Sequence, residues 1–224
     1  TPLGFDELSV AGAIRGRPVE MARCLTINER AIAHAEVVIE GELLPNVRLR
    51  EEFKLYANIR PARTLIPGGR YDNIDLIVCR ENLEGLYMGH EHFIPIEGDP
   101  HAVAMSTGVN TRQGARHILE YAFEHAIALG RKKVTVVHKA NIMKALTGIF
   151  LETAEQMYEE RYKGRIQFEQ VIVDACCMKL VMNPWQFDVL VTTNLFGDIL
   201  SDLGAGLVGG LGMAPGANIG RDAA

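Results

Sequence analysis

The sequence predicts a layered α/β protein built on a largely parallel sheet. From residue 50 onward, short β-branched runs alternate with longer stretches of helical period, the rhythm of strand–helix–strand units. Several of those runs end directly in charged or polar residues, as strands do when they feed a cleft at their carboxyl ends. No internal repeat, low-complexity tract or Gly/Ser linker interrupts the pattern, and 224 residues can bury a sizeable core.

The elements follow in order. Glu7–Ile14 reads as a small-residue helix, and Val19–Leu25 and Ala35–Glu40 read as strands, the last stopped by a Gly turn. Arg50–Ala57 has helical period and is predicted to end at Asn58-Ile-Arg-Pro61. Pro67-Gly-Gly-Arg70 is a turn before the apolar strand Ile74–Cys79. His101–Thr107 is extended, and a helix runs from Thr111 to Leu129, where Gly130 stops it. Lys133–His138 is a strand, Ala145–Arg161 a helix, Ile166–Val173 a strand, and Ala175–Met182 a short helix before Pro184. Phe187–Thr193 is a buried strand, and Asn194 turns it into a helix carrying Asp198 and Asp202.

Composition narrows the function. A net charge of −5 gives no reason to expect nucleic acid or an anionic membrane as partner. No run is apolar enough to span a bilayer, and Thr1-Pro-Leu-Gly4 is neither basic nor a signal peptide. The first residue is not Met, so the chain reads as an excised piece. Cys24, Cys79, Cys176 and Cys177 lack C-x-x-C spacing, which points to buried thiols in a reducing cytoplasm.

The chemistry-bearing residues gather in a few words. Arg50, Arg60 and Arg80 end or flank predicted elements, and converging guanidinium forks suit a di- or tricarboxylic acid, where isolated arginines would serve surface ion pairs. Arg80 directly follows an apolar strand and should point from its end into a cleft. Tyr87 is either a general acid or packing. Lys139, at another strand end, is either a proton carrier beside a cation or a solvated side chain. Asp198 and Asp202, four apart, share one helix face. They offer hard oxygen ligands for Mg²⁺ or Mn²⁺, or else a dipole complement and a solvated acid. Asp174 ends a strand and would make a third carboxylate. Gly204–Gly220 is glycine-dense but lacks the third Gly of a dinucleotide fingerprint, and it reads as backbone packed closely against the Asp198 helix.

Two resemblances emerge from these words. Thr1-Pro-Leu-Gly-Phe-Asp-Glu-Leu-Ser-Val-Ala-Gly12, Arg30–Glu36 and Val38–Arg48 resemble the UbiD-type, prenylated-flavin-dependent decarboxylases, which makes Glu7 a candidate metal and cofactor-phosphate ligand. Leu49-Arg-Glu-Glu-Phe-Lys-Leu-Tyr-Ala-Asn-Ile-Arg-Pro61, Val78-Cys-Arg-Glu-Asn-Leu-Glu-Gly-Leu-Tyr87, His138-Lys-Ala-Asn-Ile-Met-Lys144 and Asn194–Gly220 resemble the β-decarboxylating dehydrogenases of the isocitrate, homoisocitrate, 3-isopropylmalate and tartrate/malate types. By that resemblance, Asn46, Arg50, Arg60 and Arg80 bind the substrate, Tyr87 and Lys139 handle protons, and Asn141 lies near the nicotinamide of NAD or NADP. Asp198 and Asp202 hold Mg²⁺ or Mn²⁺ with Asp174 of a second subunit, which implies a homodimer acting on a small hydroxy acid. Glu81-Asn82 and Glu84-Gly85 resemble the isocitrate and homoisocitrate branches.

The chain departs from that family's pattern in three places. The opening strand and Gly-Asp-Gly-Ile-Gly-Pro-type loop, the Ser or Thr ahead of the first arginine (Leu44 stands there), and the His-Gly-Ser-Ala-Pro-type adenine segment are not found. The expected organisation is therefore a UbiD-like segment at 1–45, a partial dehydrogenase core at 46–220 lacking most of the large cofactor domain, and a tail at 221–224. A join near Asn46–Glu51 makes the chain chimeric. The competing expectation is a non-catalytic scaffold that folds and dimerises; a prenylated-flavin decarboxylase stands third.

Overall fold

A computed structural model describes residue 50, residues 52–65 and residues 70–221, together with short strands between residues 13 and 43. Those short strands pair as hairpins: Ala13–Ile14 with Arg17–Pro18, Cys24–Ile27 with Arg30–Ala33, and Val38–Ile39 with Glu42–Leu43. The helix expected over Glu7–Ile14 thus meets a strand at Ala13–Ile14, and its earlier part lies outside the described residues.

The core is a six-stranded sheet. In chain order its strands are β1 (Ala57–Arg63), β2 (Asp75–Glu81), β5 (Lys133–His138), β6 (Gln167–Ile172), β7 (Val189–Thr192) and β8 (Ala217–Ile219). Between β2 and β5 stands a separate two-stranded ribbon, β3 (Glu91–Ile96) with β4 (Asp99–Ser106). The helices are α1 (Arg112–Ala128), α2 (Gly148–Met157), α3 (Val173–Met182) and α4 (Asn194–Val208). Spatial order across the sheet is β6-β5-β7-β2-β1-β8, with β6, β5, β7 and β2 mutually parallel and β1 and β8 antiparallel to their neighbours.

Alternation along each strand explains the layers. Side chains at successive strand positions face opposite sides, and here both sides are apolar. Ile77, Cys79, Val134, Val136, Val189 and Val191 join Ile118, Leu119, Phe123 and Phe150 of α1 and α2 in one core. Leu76, Val78, Val137 and Leu190 join Leu180 of α3 and Leu200 and Leu207 of α4 in the other. Near-continuous hydrophobic strands are what a sheet covered on both faces requires.

Local signals held where they were strong. The Thr111 hydroxyl accepts the Gly114 N–H at 2.9 Å and caps α1, and Gly130 takes the left-handed conformation (φ 66°) that ends it. One expectation here fails. Asn58–Pro61 does not terminate a helix: it lies inside β1, where Pro61 is tolerated for a definite reason. Its partner Ile77 donates its N–H away from β1, to the Asp188 carbonyl at 3.0 Å, so Pro61 faces away from β2 as well. The neighbour on that side, β8, covers only Ala57–Ile59 and asks no hydrogen bond of Pro61. The segment 91–96, for which the sequence pattern predicts no element, is the first strand of the exposed ribbon.

Phe123 is fully buried and stacks on Tyr162 with ring centroids 4.4 Å apart. Phe123→Ala should cost about 3–5 kcal/mol in urea unfolding. Phe93→Ala, on the exposed ribbon, should change stability by about 0.5 kcal/mol or less.

Candidate active site

Arg80 is the last-but-one residue of β2, and the same alternation that buries Leu76 and Val78 turns it toward α4. It is only 2 % exposed. The first turn of α4 forms a trough for its side chain, because positions 194, 197 and 198 fall on one face. Gly197 supplies the floor: a Cβ there would lie 2.4 Å from Arg80 Cγ and 2.6 Å from Arg80 Cβ, so only glycine fits. Asn194 Oδ1 accepts the Arg80 Nε–H at 2.9 Å, and the Asp198 carboxylate pairs with Nη1. The Tyr87 hydroxyl donates to the other Asp198 oxygen, and the Tyr87 ring centroid lies 5.1 Å from the guanidinium carbon. Partial burial, then the bond to Asp198, raises the Tyr87 phenol above its ordinary range.

Arg60 reaches the same region from β1. Its Nε donates to Asn58 Oδ1 at 2.7 Å, and Asn58 in turn donates to Asn218 of β8 at 2.7 Å. A Cβ at Gly216 would lie 3.1 Å from Arg60 Nε and one at Gly220 3.1 Å from the Lys54 carbonyl, so these tail glycines pack against Arg60 and residues 53–55 and not, as expected, against the Asp198 helix. Arg50 is buried, and its Nε has no hydrogen-bond partner among the described residues. Burial first, then the positive charges of Arg80 and Arg60, pull the Arg50 guanidinium down to about 10. Three cations thus converge with one carboxylate among them.

The loop from Arg80 to Tyr87 is pinned at nearly every step. The buried Glu81 carboxylate accepts the N–H groups of Leu83 (2.8 Å) and Glu84 (2.9 Å). Glu84 accepts from the backbone N–H of Thr111 at 2.7 Å and from its hydroxyl, tying the loop to the N-terminus of α1. Asn194 Nδ2 donates to the Glu84 carbonyl at 3.1 Å. Gly85 pairs with Val109.

Lys139 and Asp174 form a separate pair. Lys139 follows β5, and its Nζ donates to Asp174, an exposed carboxylate held below its usual range by that bond. Asp174 does not end a strand; β6 stops at Ile172, and Asp174 sits in the first turn of α3. Asn141 is exposed in the loop beyond β5, Asp202 is exposed one turn along α4 from Asp198, and Asn46 and Glu7 lie outside the described residues. Among the described residues no three His, Cys, Asp or Glu side chains gather as a metal cluster within one chain. Asp198 and Asp202 by themselves have the hard-oxygen chemistry that suits Mg²⁺ or Mn²⁺, ions that complete their shells with water and substrate oxygens.

Sequence pattern does not reveal Asn194, Gly197, Glu81 and Glu84 as working parts. Asn194 looks like a helix-start residue, and no spacing rule announces that its amide crosses to two other elements. Buried acids directly after a strand-end Arg are a usable signal, since such a carboxylate must find backbone donors.

Fold and site together define an α/β protein in which Arg50, Arg60 and Arg80 gather near Asp198 and Tyr87, around the carboxyl end of β2 and the first turn of α4. The family model described as isocitrate/isopropylmalate dehydrogenase matches residues 31–224, and the chain belongs to that family. A second model, the 3-octaprenyl-4-hydroxybenzoate carboxy-lyase Rift-related domain, matches residues 1–55. The chain is 50 % identical over 188 residues to mitochondrial isocitrate dehydrogenase [NAD] catalytic subunit 6 of Arabidopsis thaliana, covering 82 % of this chain and 47 % of that protein. It is 49 % identical over 177 residues to 3-isopropylmalate dehydrogenase of Archaeoglobus fulgidus, covering 78 % and 52 %. A solved structure of isocitrate dehydrogenase from Methylococcus capsulatus superposes with a TM-score of 0.77 at 52 % identity, over 80 % of this chain and 52 % of that one. The chain spans about half the length of these relatives.

Burial pushes the Glu81 carboxyl up to about 7 despite its backbone donors. The folded state therefore holds a proton that the unfolded chain releases near 4.5, so stability falls as pH rises between those values. Thermal melting should drop from pH 5 to pH 8 in the wild type, and the drop should shrink in Glu81→Gln; an unchanged profile would show that Glu81 is not the titrating group.

Proposed function

We propose that this protein performs metal-assisted oxidative decarboxylation of a 2-hydroxy di- or tricarboxylic acid, isocitrate or homoisocitrate first, with NAD or NADP as oxidant. The observation that carries the reading is the gathering of Arg50, Arg60 and Arg80 near Tyr87 and Asp198. Three guanidiniums cost too much to gather in a half-buried site unless an anion with several carboxylates answers them. The unpartnered Arg50 Nε is a donor awaiting such an acceptor. Homology to isocitrate and 3-isopropylmalate dehydrogenases supports the reaction class.

In this reading the arginines orient the acid by its carboxylates, and Asn46 joins them. Asp198 and Asp202 would hold Mg²⁺ or Mn²⁺, which would supply Lewis-acid chemistry at the oxygen of the carbon being oxidised. Lys139 would take the hydroxyl proton, and Asn141 would help seat the nicotinamide that accepts the hydride. Tyr87, with its raised affinity for a proton, would keep its own phenolic proton until the carbon that has lost CO₂ takes it. Lys139 and Asp174 form a pair distinct from the Asp198 cluster of their own chain, so a second copy is proposed to supply them. The apolar side chains exposed on the ribbon (Phe93, Ile96) and on α3 (Met178, Met182) support a homodimer. Among the described residues no helix is long and apolar enough to cross a membrane. The unpaired Cys79, Cys176 and Cys177 suit the reducing cytoplasm as the proposed compartment, while relatives include mitochondrial and chloroplastic enzymes. A join of a UbiD-like segment to the dehydrogenase core remains part of the proposal, supported by the two family matches.

Absorbance of NADH or NADPH, followed with isocitrate, homoisocitrate, 3-isopropylmalate, malate and tartrate in Mn²⁺, tests the reading. Turnover with one acid, reduced by at least about a hundredfold in Asp198→Asn, is expected. A folded dimer with no turnover on any acid would contradict it and leave a non-catalytic scaffold.

A further inference from the structure

We infer that Asn194 is a positioning residue that sets the guanidinium of Arg80 and couples it to the loop carrying Tyr87. The inference rests on the proposed carboxylate site and extends it to a residue that touches no reacting atom. Asn194 is 1 % exposed, and its two amide ends point to different places. Oδ1 accepts the Arg80 Nε–H at 2.9 Å, and Nδ2 donates to the Glu84 carbonyl at 3.1 Å.

Those bonds have a geometric consequence. A guanidinium whose Nε–H is engaged cannot swing about its last bonds, so the direction of both Nη groups is fixed. Nη1 is committed to Asp198, and the remaining edge is held ready for a carboxylate. The Glu84 carbonyl lies in the loop that ends at Tyr87, whose hydroxyl meets the same Asp198. Asn194 therefore ties the start and the middle of the Arg80–Tyr87 segment to one helix turn. Gly197 completes the fit, since no larger residue leaves room for the Arg80 stem. Thr193, not Asn194, stands at the cap position of α4, and no side-chain cap bond is made there, so ordinary helix capping does not explain the asparagine.

The test uses the full chain and two readouts. Isothermal titration with isocitrate in Mn²⁺ measures the carboxylate site, and nitrogen-15 correlation spectra follow the Arg80 Nε–H, assigned by its loss in Arg80→Lys. The wild type should show a slowly exchanging Nε–H and bind isocitrate. Asn194→Ala should lose that signal and weaken binding about tenfold, the scale of one charge-assisted hydrogen bond. Asn194→Asp keeps an acceptor for Nε and should retain the signal. A protected Nε–H or wild-type affinity in Asn194→Ala would overturn the inference. If Asn194→Ala does not fold, Asn194→Asp decides: a retained signal supports the positioning role and a lost one refutes it. A wild type that binds no isocitrate would sink the proposed function, while the spectra would still show whether Asn194 holds Arg80.

Discussion

Arg80 is a permanent cation withdrawn almost completely from water, and the rest of the site is arranged around the cost of putting it there. An unpaired buried charge would be strongly destabilising, so each donor of the guanidinium must be answered in place. One helix turn answers two of its nitrogens, Asn194 at Nε and Asp198 at Nη1, and lays the bare backbone of Gly197 against the stem, leaving the outer edge for a ligand or water. The Asn-Leu-Phe-Gly-Asp spacing has this steric and electrostatic cause, because residues three and four apart share a helix face and the middle one must have no side chain. Removing the glycine would push the arginine out of the trough. Removing the carboxylate would leave the charge half-answered, to be completed only by a ligand or water.

Sheet topology then decides what else can reach Arg80. Parallel strands β2, β5, β6 and β7 all end on one side, and Arg80, Lys139, Asp174 and Asn194 follow those ends. The order β6-β5-β7-β2 puts side by side the two strand ends that Asp174 and Lys139 follow, with β7 between them and Arg80. With strands about 4.8 Å apart, β5 and β2 stand roughly 10 Å apart. The antiparallel β1 contributes Arg60 from its middle, where the Asn58–Asn218–Asn82 amide cluster anchors the strands beneath it. One chain thus holds an arginine cluster around Asp198 and a detached Lys–Asp pair.

Much of this arrangement was legible in the residues. Lys133–His138 and the α1 helix were readable because a β-branched run and a Gly stop are local signals that tertiary structure seldom overrides. Arg80 was readable because a charge that directly follows an apolar strand must leave the core at the strand's end, and Asp198 because it lies on one helix face with Asp202. Pro61 misled because its tolerance depends on how far β8 extends along β1, a fact written some 150 residues away. The ribbon strand Glu91–Ile96 escaped because all its residues are exposed, which erases the inside–outside alternation that marks a strand. Asn194 escaped because its two partners come from distant segments of the chain, and only the packed fold brings them to one amide.

The central claim is that the buried and half-buried arginines form a single site for a polycarboxylate beside Asp198. A crystal structure of the chain grown with isocitrate and Mn²⁺ tests it most directly. The acid should lodge with its carboxylates on Arg50, Arg60 and Arg80, and the ion should sit on Asp198 and Asp202. Isocitrate bound elsewhere, or a cleft in which Arg50 and Arg60 turn outward to pair with other side chains, would contradict it.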